Sequence, residues 1–392
     1  MDTGNPETAV PPDRGAACTE LAAVFLKLGT TAFGGPAAHI AMMEEEVVRR
    51  RRWLSHEQFL DLLGATYVIP GPNSTEMAIH IGYLRAGWAG LLVAGGCFII
   101  PAAVMVACIA AAYTRLGTLP ISIGLLAGLK PVVIAIVAHA LWQLGRTAVK
   151  TPGLALVAAG ATGLTLAGTN ELVVLLLAAG VMVGVQTLGT RRSRAAVWNA
   201  VPLMPLASSV PAAAAAAATP FGLWPLFLVF VKIGAVLFGS GYVLLAFLRA
   251  DLVHRLGWLT EAQLLDATAV GQITPGPLFT TATFIGYILG GTAGAVVATV
   301  GIFLPAFGFV ALSGPLVPRL RQSPTTAAVL DGVNVGALAL MAVVTWQLAQ
   351  AALVDGVAVL LALASAALLF GARVNSAWLI LGGALVGMLR GR

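Results

Sequence analysis

Two Pro-Gly-Pro tripeptides, at residues 70–72 and 275–277, interrupt otherwise apolar segments, and polar residues follow each of them. Proline lacks a backbone N–H and suits the first position of a helix, so each tripeptide predicts a break followed by a new helix. The first N–H groups of a helix have no acceptor within it and attract anions. We therefore predict two anion-binding helix starts, although a break needed only for packing is the alternative. The predicted donors are in Asn73, Ser74, Thr75, Leu278, Phe279, Thr280 and Thr281.

A second pair of breaks precedes the tripeptides. Residues 33–36 read Phe-Gly-Gly-Pro, residues 238–241 read Phe-Gly-Ser-Gly, and each break begins six residues after a lysine. Six helical residues span about 9 Å, which places each cation near interrupted backbone. A buried cation is costly unless an anion compensates it, so we predict substrate contacts here; snorkelling of the lysines to the membrane interface is the alternative. The predicted contacts are Lys27, Gly34, Gly35, Lys232, Gly239 and Ser240.

Two titratable residues follow the breaks in the first half of the chain only. His39 follows the first break by three residues, and its imidazole could bind the anion or carry a proton near neutral pH. Glu76 lies one turn after Pro72, where it could couple protons or simply complement the helix dipole. The matching positions hold Leu244 and Thr281, so any such role is asymmetric.

Asp61, Asp266 and Lys130 are secondary candidates. The two aspartates occupy matching positions, each one helical turn after a glutamine, and they either line a cavity or cap neighbouring backbone. Lys130 precedes Pro131 and could contact an anion. The three cysteines lack metal or redox spacing, and the sequence suggests no metal or cofactor.

The composition identifies the solvent as a lipid bilayer. Hydrophobic residues make up 59% of the chain and charged residues 10%, whereas soluble domains carry roughly 25% charged residues. Apolar stretches such as Trp88 to Tyr113 are long enough to cross a hydrocarbon core of about 30 Å. The basic residues form short clusters between these stretches, which indicates membrane topology rather than binding to nucleic acid.

The two halves of the chain are copies of one unit. An ungapped match relates Lys27 through Pro72 to residues 205 positions later, and after a one-residue deletion the match continues. We divide the chain into a polar tail and two membrane repeats joined by a linker. These segments cover residues 1–16, 17–190 for repeat one, 191–222 for the linker and 223–392 for repeat two.

Each repeat is predicted to be all-α and to cross the membrane about five times. In repeat one a re-entrant hairpin turns at the Pro-Gly-Pro tripeptide, between the first of these helices and the rest. The predicted helices cover residues 17–43, 87–114, 121–146, 151–168 and 171–189. An odd number of crossings inverts the second repeat, and the positive-inside rule agrees by placing the basic clusters on one face. Hairpins that span the membrane are the alternative.

The combination of Phe33-Gly34-Gly35-Pro36 with His39, Trp53-Leu54 and Pro70-Gly71-Pro72, with degenerate echoes in repeat two, resembles the long two-domain form of the chromate ion transporter family. The resemblance covers essentially the whole chain. It implies a multi-pass protein of the bacterial cytoplasmic membrane that exports chromate and confers chromate resistance, with sulfate as a similar dianion. A transporter of sulfate or another small anion in a different direction is the alternative.

The sequence argues against an enzyme, because it contains no zinc-protease, hydrolase-elbow or phosphate-loop motif. The expected partners are the oxyanion and the lipid bilayer. Whether the protein is a monomer or a homodimer is left open by the sequence.

Overall fold

A computed structural model describes residues 14–33, 35–116, 120–191, 220–238, 241–313, 323–372 and 374–390. Within these ranges the chain is helical, without β-strands. The predicted contacts Gly34, Gly239 and Ser240 lie outside the described residues, as does most of the predicted linker.

The helices of the first half are α1 Arg14–Thr31, α2 Gly35–Glu44, α3 His56–Thr66, α4 Asn73–Leu116, α5 Pro120–Ala148, α6 Pro152–Leu166 and α7 Glu171–Arg191. Those of the second half are α8 Leu223–Val236, α9 Leu244–Leu248, α10 Glu261–Ile273, α11 Thr281–Ser313, α12 Pro324–Ala352, α13 Gly356–Ala367 and α14 Ser376–Arg390. A π-helical segment extends α2 (Glu45–Arg50) and another extends α9 (Arg249–Arg255).

Four helical stretches within the described ranges are long and apolar enough to cross a membrane. They are Asn73–Leu116, Gly124–Ala148, Leu278–Ser313 and Pro324–Ala352. Shorter apolar helices of 10–17 residues accompany them in both halves. The prediction of an all-α polytopic membrane protein is confirmed.

The prediction of one membrane helix over residues 17–43 is wrong. The chain breaks after α1, and α2 folds back beside it. This reversal brings Lys27 Nζ to 2.5 Å from Glu46 Oε1. A straight helix would separate residues 19 positions apart by about 28 Å. Gly35 has a φ of 79°, a left-handed conformation that favours glycine. The matching ion pair in the second half, Lys232 with Asp251 at 2.9 Å, shows the same reversal between α8 and α9.

The long helix α4 also contains a reversal. Its backbone leaves helical geometry at Ala86 and Gly87, where Gly87 has a φ of 61°. Residues 73–85 then lie against the rest of α4, and a Cβ atom on Gly82 would strike the backbone of Gly90. In α11 the break at residues 290–291 is equivalent, and there the hydroxyls of Thr283 and Thr299 are 2.7 Å apart. Each Pro-Gly-Pro tripeptide is therefore followed by a half-helix packed on a full-length one.

The matching helices α4 and α11 contact each other. Gly95 faces Phe307, and Leu91, Ala306 and Val310 belong to one apolar cluster. In an inverted repeat, two matching helices that meet in this way run in opposite directions.

Single cysteines at Ser55 and Thr260 test the inversion. These residues are the N-caps of α3 and α10, and the side chain of each accepts a hydrogen bond from the backbone of a glutamine three residues later. We expect a membrane-impermeant thiol reagent to label Ser55→Cys from one side of the membrane and Thr260→Cys from the other, in a background without the native cysteines. Prior blocking from a known side provides the control. Labelling of both from the same side would contradict the inversion.

Candidate functional site

The four backbone breaks meet in reciprocal hydrogen bonds between the halves. The Gly71 N–H donates to the Leu237 carbonyl at 2.7 Å, and the Gly276 N–H donates to the Ala32 carbonyl at 3.0 Å. The two donors are 205 positions apart in sequence, and so are the two acceptors. Each Pro-Gly-Pro turn therefore binds the break that follows the first helix of the opposite half.

The same turns pack against the middle of the opposite long helix. A Cβ atom added to Gly276 would lie 2.6 Å from the Cβ of Ala102, and one added to Gly71 would lie 3.6 Å from the Cβ of Ala306. Each alanine directly follows a proline inside its helix. Gly71 and Gly276 have φ angles of 141° and 88°, which disfavour any side chain. The contact between the halves thus depends on glycine at both turns.

The helix start of the first half is enclosed. Ser74 and Thr75 are buried, and Thr75 N and Glu76 N donate to the Pro72 carbonyl as the first bonds of the helix. The N–H groups of Asn73 and Ser74 come before this pattern. His39 lies between the helix start after Pro72 and the first break. Its Nδ1 is 3.4 Å from Ser74 Oγ, and its Nε2 is 3.1 Å from the Ala32 carbonyl oxygen.

Glu76 is fully buried, and neither of its carboxyl oxygens has a hydrogen-bond partner among the described residues. The carboxyl group lies against the turn, since a Cβ atom on Gly71 would collide with Oε1. Asn73 Oδ1, Thr75 Oγ1 and His80 Nε2 are buried without a partner as well. Buried polar groups normally have partners, so this segment is the part of the described chain best suited to receive a proton, an ion or a substrate.

The helix start of the second half differs. The Thr280 hydroxyl donates to the Pro277 carbonyl at 2.8 Å, and the Thr281 hydroxyl donates to the Leu278 carbonyl at 2.8 Å. We predicted that these two hydroxyl groups would donate to an anion, but both donate within the local turn instead. The half-site after residue 277 consequently offers backbone rather than side-chain donors.

Each predicted substrate lysine already has a carboxylate partner. Lys27 Nζ lies 2.5 Å from Glu46 Oε1, and Lys232 Nζ lies 2.9 Å from both carboxylate oxygens of Asp251. Glu46 and Asp251 were not among the predicted site residues. Their signal was present, because the two acids are also 205 positions apart and each follows its lysine by 19 residues. The structure therefore supplies the compensating anion from the protein itself.

An arginine completes each ion pair. Arg50 Nη1 lies 3.4 Å from Glu46, and Arg255 Nη2 lies 3.0 Å from Asp251. The Lys27 side chain is 53% exposed and that of Lys232 is 29% exposed, whereas both carboxylates are nearly covered. Glu46 also has Arg51 Nε at 3.7 Å. Each carboxylate therefore has at least two cationic partners, so one cation can turn to another anion without leaving the acid unpaired.

Two of the secondary candidates, Lys130 and Asp266, belong to a separate cluster that joins the halves. Lys130 Nζ lies 3.4 Å from Asp266 Oδ1, and the Tyr113 hydroxyl donates to Asp266 Oδ2 at 3.1 Å. Asp266 is buried, but the matching Asp61 is exposed. The glutamines that precede the aspartates take part in capping boxes of α3 and α10.

A model of the chromate transporter family matches residues 19–185 and 224–388, one match in each half. The chain belongs to the chromate transporter family. A chromate transport protein of Cupriavidus metallidurans is 33% identical over 379 residues, which cover 94% of this chain and 92% of that protein. A chromate transport protein of Pseudomonas aeruginosa is 33% identical over 87% of this chain and 83% of its own length.

A probable chromate transport protein of Synechococcus elongatus is 33% identical over 81% of both chains. No solved structure matches this transporter. Family membership supports a role in chromate transport and confirms the resemblance found from the sequence motifs.

Proposed function

We propose that the protein exports chromate from the bacterial cytoplasm by alternating access and thereby confers chromate resistance. The reciprocal bonds of Gly71 and Gly276 carry this proposal, because they join two equivalent breaks at one contact between the two halves. Broken helices at the interface of inverted repeats are a recurring way to build a transport site. The substrate sits at these breaks and becomes accessible from each face in turn.

The dianion is bound mainly by the first half. The N–H groups of Asn73 and Ser74, the hydroxyls of Ser74 and Thr75, and the positive end of the half-helix supply the contacts. Lys27 and Lys232 exchange their carboxylate partners for substrate as each side opens. Sulfate has the same charge and tetrahedral shape as chromate, so it competes for the site.

The membrane potential drives export. An inside-negative potential of 100 mV favours outward movement of a negative charge by about 2.3 kcal/mol, and chromate carries two such charges. Protons add to this force through Glu76 and His39, which lie beside the same turn. The buried, unpartnered carboxyl of Glu76 supports the coupling role, because it requires a proton, a cation or a donor when substrate leaves.

Flux in everted membrane vesicles tests direction and coupling together. We expect vesicles with the wild-type protein to accumulate radiolabelled chromate, and excess sulfate to reduce the uptake. A gradient of one pH unit supplies about 1.4 kcal/mol per coupled proton, which corresponds to about a tenfold rise in accumulation. Glu76→Gln should lose this rise and keep the uptake driven by the potential alone.

Glu57→Gln is the matched control, because Glu57 is exposed at the start of α3. It should behave as the wild type. Accumulation only in right-side-out vesicles would contradict export, and an unchanged response of Glu76→Gln to the pH gradient would contradict the coupling role.

A further inference from the structure

A cavity of about 520 Å³ lies away from the Pro-Gly-Pro turns, between α5 of the first half and α12, α13 and α14 of the second. Small apolar residues form most of its wall, and the charged residues that line it are Lys130, Asp355 and Arg390. The volume is far larger than a tetrahedral oxyanion needs, so an anion could enter with part of its hydration shell.

Two cations stand at different depths in this cavity. Arg390 is the last residue of α14, and α14 packs on the beginning of α5, where Gly387 meets Gly124 and Gly128. Lys130 lies ten residues into α5, about 15 Å from the start of that helix. The cavity therefore has a basic residue at its mouth and another at its inner end.

The mouth is electrically balanced, but the inner cation is not fully engaged. Arg390 Nη1 lies 2.8 Å from Asp355 Oδ2, and the Ala358 N–H donates to Asp355 Oδ1 at 2.8 Å. The bond from Ala358 and that from Arg390 lower the pKa of Asp355, which keeps this ion pair charged near neutral pH. Lys130, by contrast, lies at the longer distance of 3.4 Å from its carboxylate partner, Asp266 Oδ1.

Asp266 is itself incompletely satisfied. Tyr113 donates to its Oδ2, whereas Oδ1, the atom facing Lys130, is buried without a hydrogen bond. The ammonium group of lysine has three donors, so Lys130 can contact Asp266 and a second anion in the cavity at the same time. This combination of an inner cation, free donors and a roomy cavity describes a site for an oxyanion.

We propose that this cavity is a second, peripheral binding site for the transported tetrahedral dianion, with Lys130 as its principal contact. The site acts as a vestibule on the face of the membrane where α5 begins, with the Arg390–Asp355 ion pair at its mouth. This inference rests on the proposed function in so far as it takes the ligand to be the transported substrate. An anionic lipid headgroup is disfavoured, because the inner cation would then meet acyl chains.

Protection of a cysteine tests the vestibule. Ala127 is exposed and lines the cavity, so Ala127→Cys, in full-length purified protein without the native cysteines, reports on its occupancy. Sulfate serves as the probe because chromate oxidises thiols, and chloride of equal ionic strength is the reference. We expect saturating sulfate to slow maleimide labelling of Ala127→Cys about tenfold, with no effect on the control Ser55→Cys.

Substitutions of Lys130 separate a charge contact from a change in shape. Lys130→Gln should abolish the protection, and Lys130→Arg should keep it. If Lys130→Gln does not fold, the double variant Lys130→Gln/Asp266→Asn, which removes both charges, takes its place. Protection that persists without the cation, or protection by phosphatidylglycerol but not by sulfate, would overturn the proposal.

Chromate flux of the parent protein without cysteines, which keeps Ala127 and so offers no thiol to oxidise, distinguishes this inference from the proposed function. Flux without sulfate protection overturns the vestibule alone. Protection without flux supports the anion site and contradicts the transport proposal. The absence of both overturns both.

Discussion

Replacing Gly276 with alanine is expected to abolish chromate flux and to lower the stability of the protein by about 2–5 kcal/mol. The φ of 88° is unfavourable for alanine, and the new Cβ would lie 2.6 Å from the Cβ of Ala102 and 3.2 Å from the Gly29 carbonyl oxygen. The turn would have to move away from the first half and stretch its hydrogen bond to Ala32. Flux in proteoliposomes and the melting temperature of the purified protein measure the two effects.

Gly308→Ala provides the matched control for this substitution. Gly308 lies in α11 with open space where a Cβ would be added, and alanine is the better helix former by about 1 kcal/mol. We expect normal flux and an unchanged or slightly higher melting temperature. Wild-type flux and stability in Gly276→Ala would show that the reciprocal contact between the breaks is not needed for transport.

Removing the charge of Lys232 is expected to stop transport, and a double variant shows why. Lys232→Ala leaves Asp251, whose side chain is 4% exposed, with Arg255 as its remaining cation. Breaking a buried ion pair costs about 3–5 kcal/mol, less where a second cation stays in place. The single variant should therefore lose both stability and flux, which by itself does not separate a folding role from substrate binding.

The double variant Lys232→Ala/Asp251→Asn removes both charges. If Lys232 contacts the substrate, this protein should recover most of its melting temperature while chromate flux remains at least about tenfold below the wild type. Recovery of flux would instead assign the lysine to the stability of the broken hairpin. The exposed pair of Lys150 with Asp331, 3.3 Å apart, is the control, and its neutral double variant should transport normally.

The asymmetry of the two half-sites bears on how the transporter works. Repeat one presents Glu76, His39 and unpartnered polar atoms at its helix start, whereas repeat two uses its threonine hydroxyls to cap its own turn. The contact between the halves is symmetric, but the titratable and unpartnered polar groups beside it belong to repeat one. Under the proposed alternating-access mechanism, the symmetric contact would serve the movement of the two halves, and the asymmetric polar groups would bind the substrate.

The sequence by itself determined the solvent of the protein, its duplication and the positions of its breaks. A chain with 10% charged residues cannot be covered by water, and the matched residues 205 positions apart leave chance as no serious explanation. Proline and glycine act on the backbone locally, so the turns at residues 70–72 and 275–277 could be located without a structure. The helices after the hairpin were also predicted within a few residues.

Only the tertiary structure decided where the chain reverses and what the breaks contact. A Gly-Pro break permits a kink or a full reversal equally well, and the choice depends on packing against distant helices, which is why residues 17–43 were taken as one helix. The carbonyls of Ala32 and Leu237 are backbone atoms common to every residue, so no residue type could mark them as partners of Gly276 and Gly71. Similarly, the lysines were recognised as charges that need an anion, but the identity of that anion followed from the fold, which brings Glu46 and Asp251 beside them.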